Sequence, residues 1–139
     1  LTMQSLTDAS VHRIAVANPV HAPYGAAAMA AIHMLGLTAA LQLKLVFAEN
    51  IAQAAEFGQS GNADCALISK TIAITPALQQ AGRFVPVPEN AYPAIEQGAV
   101  VMRNSAHKQT ALDFLHYLQS PAGRALLASS GLESPDSKN

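Results

Sequence analysis

The sequence contains little of what marks several common functions. It has no tryptophan and one cysteine, only 12% of its 139 residues are charged, and the formal net charge is −1. A single cysteine excludes an intrachain disulfide. Lysine and arginine form no cluster, and a nucleic-acid surface needs one. No apolar run reaches the roughly 18 residues of a membrane-spanning helix. We therefore expect no nucleic-acid partner and no membrane-spanning segment.

Residues that commonly hold metals or perform catalysis are not arranged for either task. The five histidines show no metal-ligand spacing to cysteines or carboxylates, and no nucleophile motif with its base is visible. We expect Cys65 to be a small core residue. We expect His21 and Lys70 to be solvated, with contact to a bound anion as the alternative for each. The sequence thus predicts no metal, no cofactor and no enzyme; a hydrolase using Ser69 or Cys65 is the last of the hypotheses.

Apolar runs alternate with helix-favouring segments along the chain, and half of the residues are hydrophobic. This alternation predicts an α/β fold with a mostly parallel sheet and flanking helices. The predicted strands are residues 13–17, 45–48, 64–69, 83–86 and 95–103. The predicted helices are residues 26–35, 51–58, 70–78 with a break before Pro76, 110–118 and 122–129. Residues 133–139 are expected to form a polar, frayed tail.

The turn from the first predicted strand to the first predicted helix, residues 18–25, contains two prolines and a glycine. Tyr24, Gly25 and Ala26 would lie in the first helical turn, where backbone N–H groups have no partner within the helix. Such groups, together with the positive end of the helix dipole, form a seat for an anion. The alternative is an ordinary loop that only joins strand to helix.

A second turn of the same kind follows the second predicted strand. Asn50 is a good N-cap and Gln53 stands at the third helical position, a pairing typical of a helix start. In a parallel sheet, ligands bind at the carboxyl ends of the strands, where helix N termini meet. If residues 23–26 and 50–52 face one spot there, the anion-seat hypothesis becomes the better one.

Several blocks of the sequence, in order and at similar spacing, resemble the periplasmic molybdate-binding proteins of ABC transporters. The resemblance runs from about Val11 to Leu132. The blocks are Ala17-Asn18-Pro19, Ala22-Pro23-Tyr24-Gly25, Leu35-Gly36-Leu37, Glu49-Asn50-Ile51-Ala52-Gln53-Ala54, Ser60-Gly61-Asn62-Ala63-Asp64, Tyr92-Pro93-Ala94-Ile95-Glu96-Gln97-Gly98-Ala99-Val100 and Ser120-Pro121-Ala122.

This resemblance implies one lobe of a type II periplasmic-binding-protein fold, in which two lobes enclose a dehydrated tetrahedral oxyanion. It implies ligand-binding roles for the backbone N–H groups of Tyr24 and Ile51. Ser69 stands where some members have a tyrosine hydroxyl and others an alanine. The expected ligand is molybdate or tungstate, the expected partner is the permease of an ABC importer, and the expected location is the periplasm.

Nothing in the sequence matches the first lobe of that family. We therefore expect a fragment, a truncated protein or a protein that completes itself with another chain. Residues 1–103 would be the second-lobe domain, and residues 104–139 a helical return segment that normally packs partly on the first lobe. Alone, such a chain would bind the anion weakly or not at all. The apolar face of residues 111–118 would lack its cover, which predicts a homodimer. The alternative function is a structural, oligomerising relative that has lost ligand binding.

Overall fold

A computed structural model of the chain describes residues 2–133. The chain folds into two compact units, residues 1–95 and residues 96–139. Nearly all of the tail expected at residues 133–139 lies outside the described residues. The predicted domain boundary at residues 103 and 104 stays a prediction. Every helix in the described part of the chain is too short or too polar to traverse a bilayer.

The first unit alternates strands and helices in chain order, after a short 3₁₀ helix, Met3–Thr7. Its elements are β1 (Ile14–Ala17), α1 (Pro23–Met34), α2 (Thr38–Leu41), β2 (Leu45–Ala48), α3 (Ile51–Gln59), β3 (Cys65–Leu67), α4 (Lys70–Ala73) and α5 (Pro76–Ala81), followed by a 3₁₀ turn, Glu89–Ala91. The predicted helix stops are confirmed at two points. Gly36, just after α1, adopts φ +70°, a conformation that glycine reaches without strain. Thr75 is extended before Pro76, as the residue preceding a proline should be.

The sheet has three strands in the order β2-β1-β3, and both neighbouring pairs are parallel. Ile14 is opposite Leu45 on one side and Cys65 on the other. The predicted α/β architecture with a parallel sheet is therefore confirmed. Since the connections run β1-α1-β2 and β2-α3-β3, all three strands end at the same edge of the sheet.

Alternate residues of β1 face two separate apolar clusters, and all four are fully buried. Ile14 and Val16 pack with Ile32 of α1. Ala15 packs with Ala54 of α3 on the other face. α1 and α3 therefore cover opposite faces of the sheet, while both begin at its carboxyl edge.

Two predicted strands, residues 83–86 and 95–103, are wrong: neither segment is a strand in the structure. Residues 83–87 and residues 96–101 form no backbone hydrogen bond within their own units. A strand owes its stability to a hydrogen-bonded neighbour, so an apolar pattern alone does not produce one. Their large side chains are correspondingly exposed, among them Phe84, Val100 and Met102.

Up to residue 133, where the described part ends, the second unit contains two helices, α6 (Lys108–Gln119) and α7 (Pro121–Ser129). Ser120 stands between them: its Oγ accepts from the N–H of Gly123 at 3.1 Å and donates to the C=O of Tyr117 at 2.6 Å. The predicted serine cap followed by proline at the first helical position is confirmed. No side chain of α6 is fully buried, and Phe114 is 59% exposed.

Candidate functional site

The first turn of α1 presents two backbone N–H groups that have no acceptor in the described part of the chain. The C=O of Asn18 accepts from the N–H of Ala22 at 2.9 Å, and the C=O of Ala22 accepts from Ala26 at 3.0 Å. Between these two bonds, the N–H groups of Tyr24 and Gly25 remain unpaired. Such groups at a helix N terminus are what an anion needs for binding.

Gly25 lets this helix start lie directly against the end of β1. A Cβ built on Gly25 would collide with the carbonyl oxygen of Ala17 and would come within 2.8 Å of its carbonyl carbon. Both are backbone atoms of the buried central strand, so they cannot move aside as a flexible side chain can. The absence of a side chain at residue 25 therefore fixes how close the N terminus of α1 comes to the sheet.

The first turn of α3 also presents two unpaired backbone N–H groups, as the first turn of α1 does. The Oδ1 of Asn50 accepts from the N–H of Gln53 at 2.9 Å, as predicted for an N-cap. The Oε1 of Gln53 accepts from the N–H of Glu49 at 2.7 Å, one residue earlier than in a standard capping box. The N–H groups of Ile51 and Ala52 find no acceptor among residues 2–133.

The two turns lie at the same edge of the sheet because β1 and β2 are adjacent and parallel, with Ala17 opposite Ala48. The N–H of Asn18 donates to the C=O of Ala48 at 2.7 Å, and this bond joins the two turns. The structure therefore brings Tyr24 and Ile51 to one edge. They start helices that pack on opposite faces of the sheet, so the two sets of donors flank the strand ends.

Ser69 follows β3 at this same edge and is only 4% exposed. Its Oγ lies 2.8 Å from the Oγ1 of Thr71. Either hydroxyl can donate in this pair, so the other keeps a hydrogen that is free to donate elsewhere. Sequence reasoning missed Thr71, although Ser69 and Thr71 are hydroxyl residues two positions apart where the third predicted strand ends.

The donors at this edge are neutral. His21 and Lys70, each considered as a contact for an anion, are exposed and take part in no hydrogen bond or ion pair through their side chains in the described part of the chain. The positive potential therefore comes from peptide dipoles and helix N termini rather than from charged side chains.

The shifted pKa values belong to the opposite edge of the sheet. Two backbone hydrogen bonds, from the N–H groups of Arg13 and His12, lower the pKa of Asp64. Burial, and then the nearby Asp64 carboxylate, raise the pKa of Cys65. A higher thiol pKa leaves less thiolate at neutral pH, which disfavours Cys65 as a nucleophile. Residues 2–133 contain no group of three or more histidine, cysteine or acidic side chains placed to hold a metal.

Known proteins resemble this chain throughout its described length. Residues 1–133 match the family described as bacterial extracellular solute-binding protein. The molybdate-binding protein ModA of Rhodobacter capsulatus is 32% identical over 121 residues, and ModA of Azotobacter vinelandii is 33% identical over 118 residues. These alignments cover 87% and 85% of this chain, but the chain spans only 47% of each relative.

The solved structure of the periplasmic molybdate-binding protein of Azotobacter vinelandii has the same fold. It superimposes with a TM-score of 0.78 at 30% sequence identity, covering 94% of this chain and 57% of that one. The resemblance to molybdate-binding proteins inferred from the sequence blocks is confirmed, as is the fold class. The chain belongs to the family of bacterial extracellular solute-binding proteins.

Proposed function

We propose that this chain is an oxyanion-binding component of an ABC importer that works in the periplasm, with molybdate or tungstate as its ligand. One observation carries the proposal: unpaired N–H groups at the starts of α1 and α3 lie at the same edge of the sheet. The ligand class and the location are supported by relatives that are named molybdate-binding proteins, one of them periplasmic. The function is binding, without chemistry.

In this proposal the N–H groups of Tyr24 and Ile51 donate to oxygens of the anion, and the hydroxyl pair of Ser69 and Thr71 supplies a further donor. Because the donors are neutral and held by helix starts, they replace water around a dianion without the added cost of burying a cation. Gly25 keeps the first donor pair against the sheet. Selection among anions then depends on the size of the space between the donors.

A second part of the proposal concerns affinity. The chain spans 47% of the relatives that it matches. We propose that residues 1–103 form the second lobe, that residues 104–139 form the return segment, and that the donors of another lobe complete the site. Each hydrogen bond to a charged group contributes roughly 1.5–3 kcal/mol, so two or three missing donors weaken binding by about two to six decades. These residues alone therefore bind the anion weakly.

Thermal unfolding tests the proposal. A ligand at ten times its dissociation constant stabilises a protein by about 1.4 kcal/mol, so millimolar molybdate should raise the melting temperature while equal chloride should not. No shift with any tetrahedral oxyanion would overturn the anion-binding proposal. A submicromolar dissociation constant in calorimetry would overturn only the claim that this chain binds weakly.

A proline substitution tests the role of one donor. Asn50 is extended, with φ −148° and ψ 176°, which suits a residue before proline, and proline is favoured at the first helical position. Ile51→Pro therefore removes the N–H and keeps α3. Ile51→Ala removes most of the side chain but retains the N–H. We expect the molybdate-induced shift to disappear in the proline variant and to persist in the alanine variant; equal shifts in both would exclude this donor.

A structural, oligomerising relative is the second candidate function. It is favoured by the apolar side chains that the second unit exposes, including Phe114, Tyr117 and Leu126. A protein of this kind would form a stable homodimer through the C-terminal helices, with these elements exchanged between copies. It would show no thermal shift with molybdate. Light scattering together with the melting experiment separates the two candidates.

A further inference from the structure

Residues 2–8, here called the strap, are held by a side chain from far along the chain. The Nζ of Lys44 donates to the carbonyl oxygens of Leu6, Thr7 and Asp8 at 3.2, 3.2 and 2.7 Å. These three oxygens are called the carbonyl site. A lysine ammonium group carries three N–H donors, so the carbonyl site takes up all of them.

The carbonyl site is the end of the 3₁₀ helix at Met3–Thr7. The last carbonyl groups of a helix have no acceptor role within it, and a lysine side chain is one way to supply their missing donor. The carbonyl oxygens of Leu6 and Thr7 accept no other hydrogen bond in the described part of the chain. Loss of the Lys44 ammonium would therefore leave both of them without a protein partner.

Lys44 makes the only hydrogen bonds between the strap and distant residues in the part of the chain that the structure describes. All other hydrogen bonds of residues 2–8 join positions at most three apart, and none reaches beyond residue 11. The three bonds from Lys44 cross 36 to 38 residues. One side chain therefore connects the backbone of the strap to the rest of the first unit.

Apolar packing of the strap is also limited. Met3 and Leu6 are its buried side chains, and they pack in the same cluster as Leu41 of α2. Thr2, Gln4 and Asp8 are exposed. A segment with few buried side chains and mostly local hydrogen bonds opens at a lower free-energy cost than the core of a domain does.

We propose that the strap is a conformational device that opens and closes as a unit on the intact sheet, with the ammonium group of Lys44 as its latch. Lys44 keeps its own place when the strap opens, because its C=O accepts from the N–H of Ile14 and its N–H donates to the C=O of Leu41, both at 2.8 Å. Opening uncovers the part of α2 on which Met3 packs. Lys44 lies directly before β2, at the amino edge of the sheet, so the donor turns at the carboxyl edge stay in place.

The carbonyl site has a chemical preference of its own. Three oxygens that converge on one nitrogen match the three N–H groups of a primary ammonium ion. A cation without N–H groups satisfies none of them as hydrogen-bond acceptors. We expect the carbonyl site to bind a free primary alkylammonium ion when the lysine side chain is removed.

Amide hydrogen exchange, measured residue by residue with NMR, tests the device in the wild-type chain. The N–H groups of Ser5 and Asp8 report on the strap, since they are bonded within it, and those of Ile14 and Asn18 report on the sheet. A short 3₁₀ helix does not persist once it is detached, so opening exposes the strap amides. Their protection factors should be at least about tenfold lower than those of the sheet amides. Equal protection would overturn the proposal, and so would strap amides with no protection at all.

A lysine substitution tests the latch. Lys44→Met keeps an unbranched side chain of similar length and removes the ammonium group. Lys70→Met is the matched control, because Lys70 is exposed and its side chain has no hydrogen bond or ion pair among residues 2–133.

We expect Lys44→Met to speed exchange of the strap amides at least about tenfold, because hydrogen bonds from a charged donor are the strong ones. Exchange of the sheet amides should change less than about threefold, and Lys70→Met should change neither set by more than about twofold. Unchanged strap amides in Lys44→Met would exclude the latch. An equal increase in strap and sheet amides would mean that the strap opens only when the whole unit unfolds.

Chemical rescue tests the carbonyl site. Lys44→Ala lacks three carbons and the ammonium group, and propylammonium supplies these same atoms. Tetramethylammonium is the control, since it carries the same charge and no N–H group. A ligand at its dissociation constant halves the open population, so about 0.2 M propylammonium should slow exchange of the strap amides at least about twofold. The wild-type chain should not respond, because Lys44 occupies the site. Equal effects of the two cations in Lys44→Ala would overturn the preference for a primary ammonium ion.

Discussion

Residues 14–17 and residues 99–102 are both apolar tetrapeptides, and only the first is a strand. β1 lies between two parallel neighbours, which take up its backbone groups and bury all four of its side chains. Residues 99–102 have no backbone partner strand in their unit, and Val100 is 84% exposed. Side-chain pattern sets the preference for a strand, but a neighbouring strand decides whether one forms.

Helices, unlike strands, form in both of these regions. α6 and α7 form in the second unit although no side chain of α6 is fully buried. A helix satisfies its backbone groups from its own residues, and the cap at Ser120 supplies a partner at one of the ends that remain. The second unit is therefore held by local hydrogen bonds, whereas the first unit depends on contacts between distant segments.

The largest expected loss of stability comes from adding a side chain where the first region is tightly packed, and the matched change in the second region serves as its comparison. Gly25→Ala places a Cβ against backbone atoms of Ala17, so we expect a loss of roughly 3 kcal/mol in unfolding free energy. Gly98→Ala makes the same change where a Cβ meets nothing within 4 Å. It should be neutral or stabilising by up to about 1 kcal/mol. Urea unfolding measures both, and equal effects would contradict the comparison.

A pair of valine truncations is expected to have the next largest effect. Val16→Ala removes two methyl groups from the centre of the sheet and should lower the unfolding free energy by about 2 kcal/mol. Val100→Ala removes the same atoms from an exposed side chain and should change it by less than about 0.5 kcal/mol. A large loss from Val100→Ala in a concentration-dependent transition would show that residues 99–102 are buried in an assembly.

Local signals made the helix boundaries and the carboxyl-edge turns predictable from the sequence. Asn50, Ser120 and Gly36 act within a few residues of their own position, so their roles follow from neighbouring residues alone. The unpaired N–H groups at the carboxyl edge were predictable to the level of two helix starts. The hydroxyl pair of Ser69 and Thr71 was not, because the pairing depends on a turn geometry that sequence spacing does not determine.

The sequence could not show that residues 83–86 and 95–103 do not form strands, because strand formation there depends on segments far away in the chain. For the same reason, the sequence could not show that β2 lies at the edge of the sheet. It shows an apolar run at residues 45–48, but only the strand order β2-β1-β3 leaves one side of that run without a neighbouring strand. Strand order is a property of the whole sheet, and periodicity within one strand carries no information about it.

A smaller effect is expected at the junction of α6 and α7. Ser120→Ala removes both the cap on Gly123 and the bond to the Tyr117 carbonyl, and a lost N-cap costs about 1 kcal/mol. Ser129→Ala is the control, because Ser129 bonds only to a carbonyl in the last turn of α7. Helix content followed by circular dichroism should fall at lower temperature in Ser120→Ala than in the control. Identical melting curves would show that local capping does not hold this unit.

The smallest effect concerns the link between the starts of β1 and β3. The carboxylate of Asp64 accepts from the backbone N–H groups of His12 and Arg13, both at 2.8 Å, and these bonds hold its pKa below the ordinary value of 3.8. A carboxyl group whose pKa is lower in the folded chain stabilises the fold above its unfolded pKa and loses that contribution as the pH falls through the folded value. Stability should therefore decline as the pH drops below about 4. In Asp64→Asn, the part of this loss of stability that comes from residue 64 should vanish. A part should remain, because the backbone and side chain of Ser10 also lower the pKa of Asp8. Melting temperatures of both proteins between pH 2 and pH 7 measure the difference, and parallel curves would mean that the strand starts are held without Asp64.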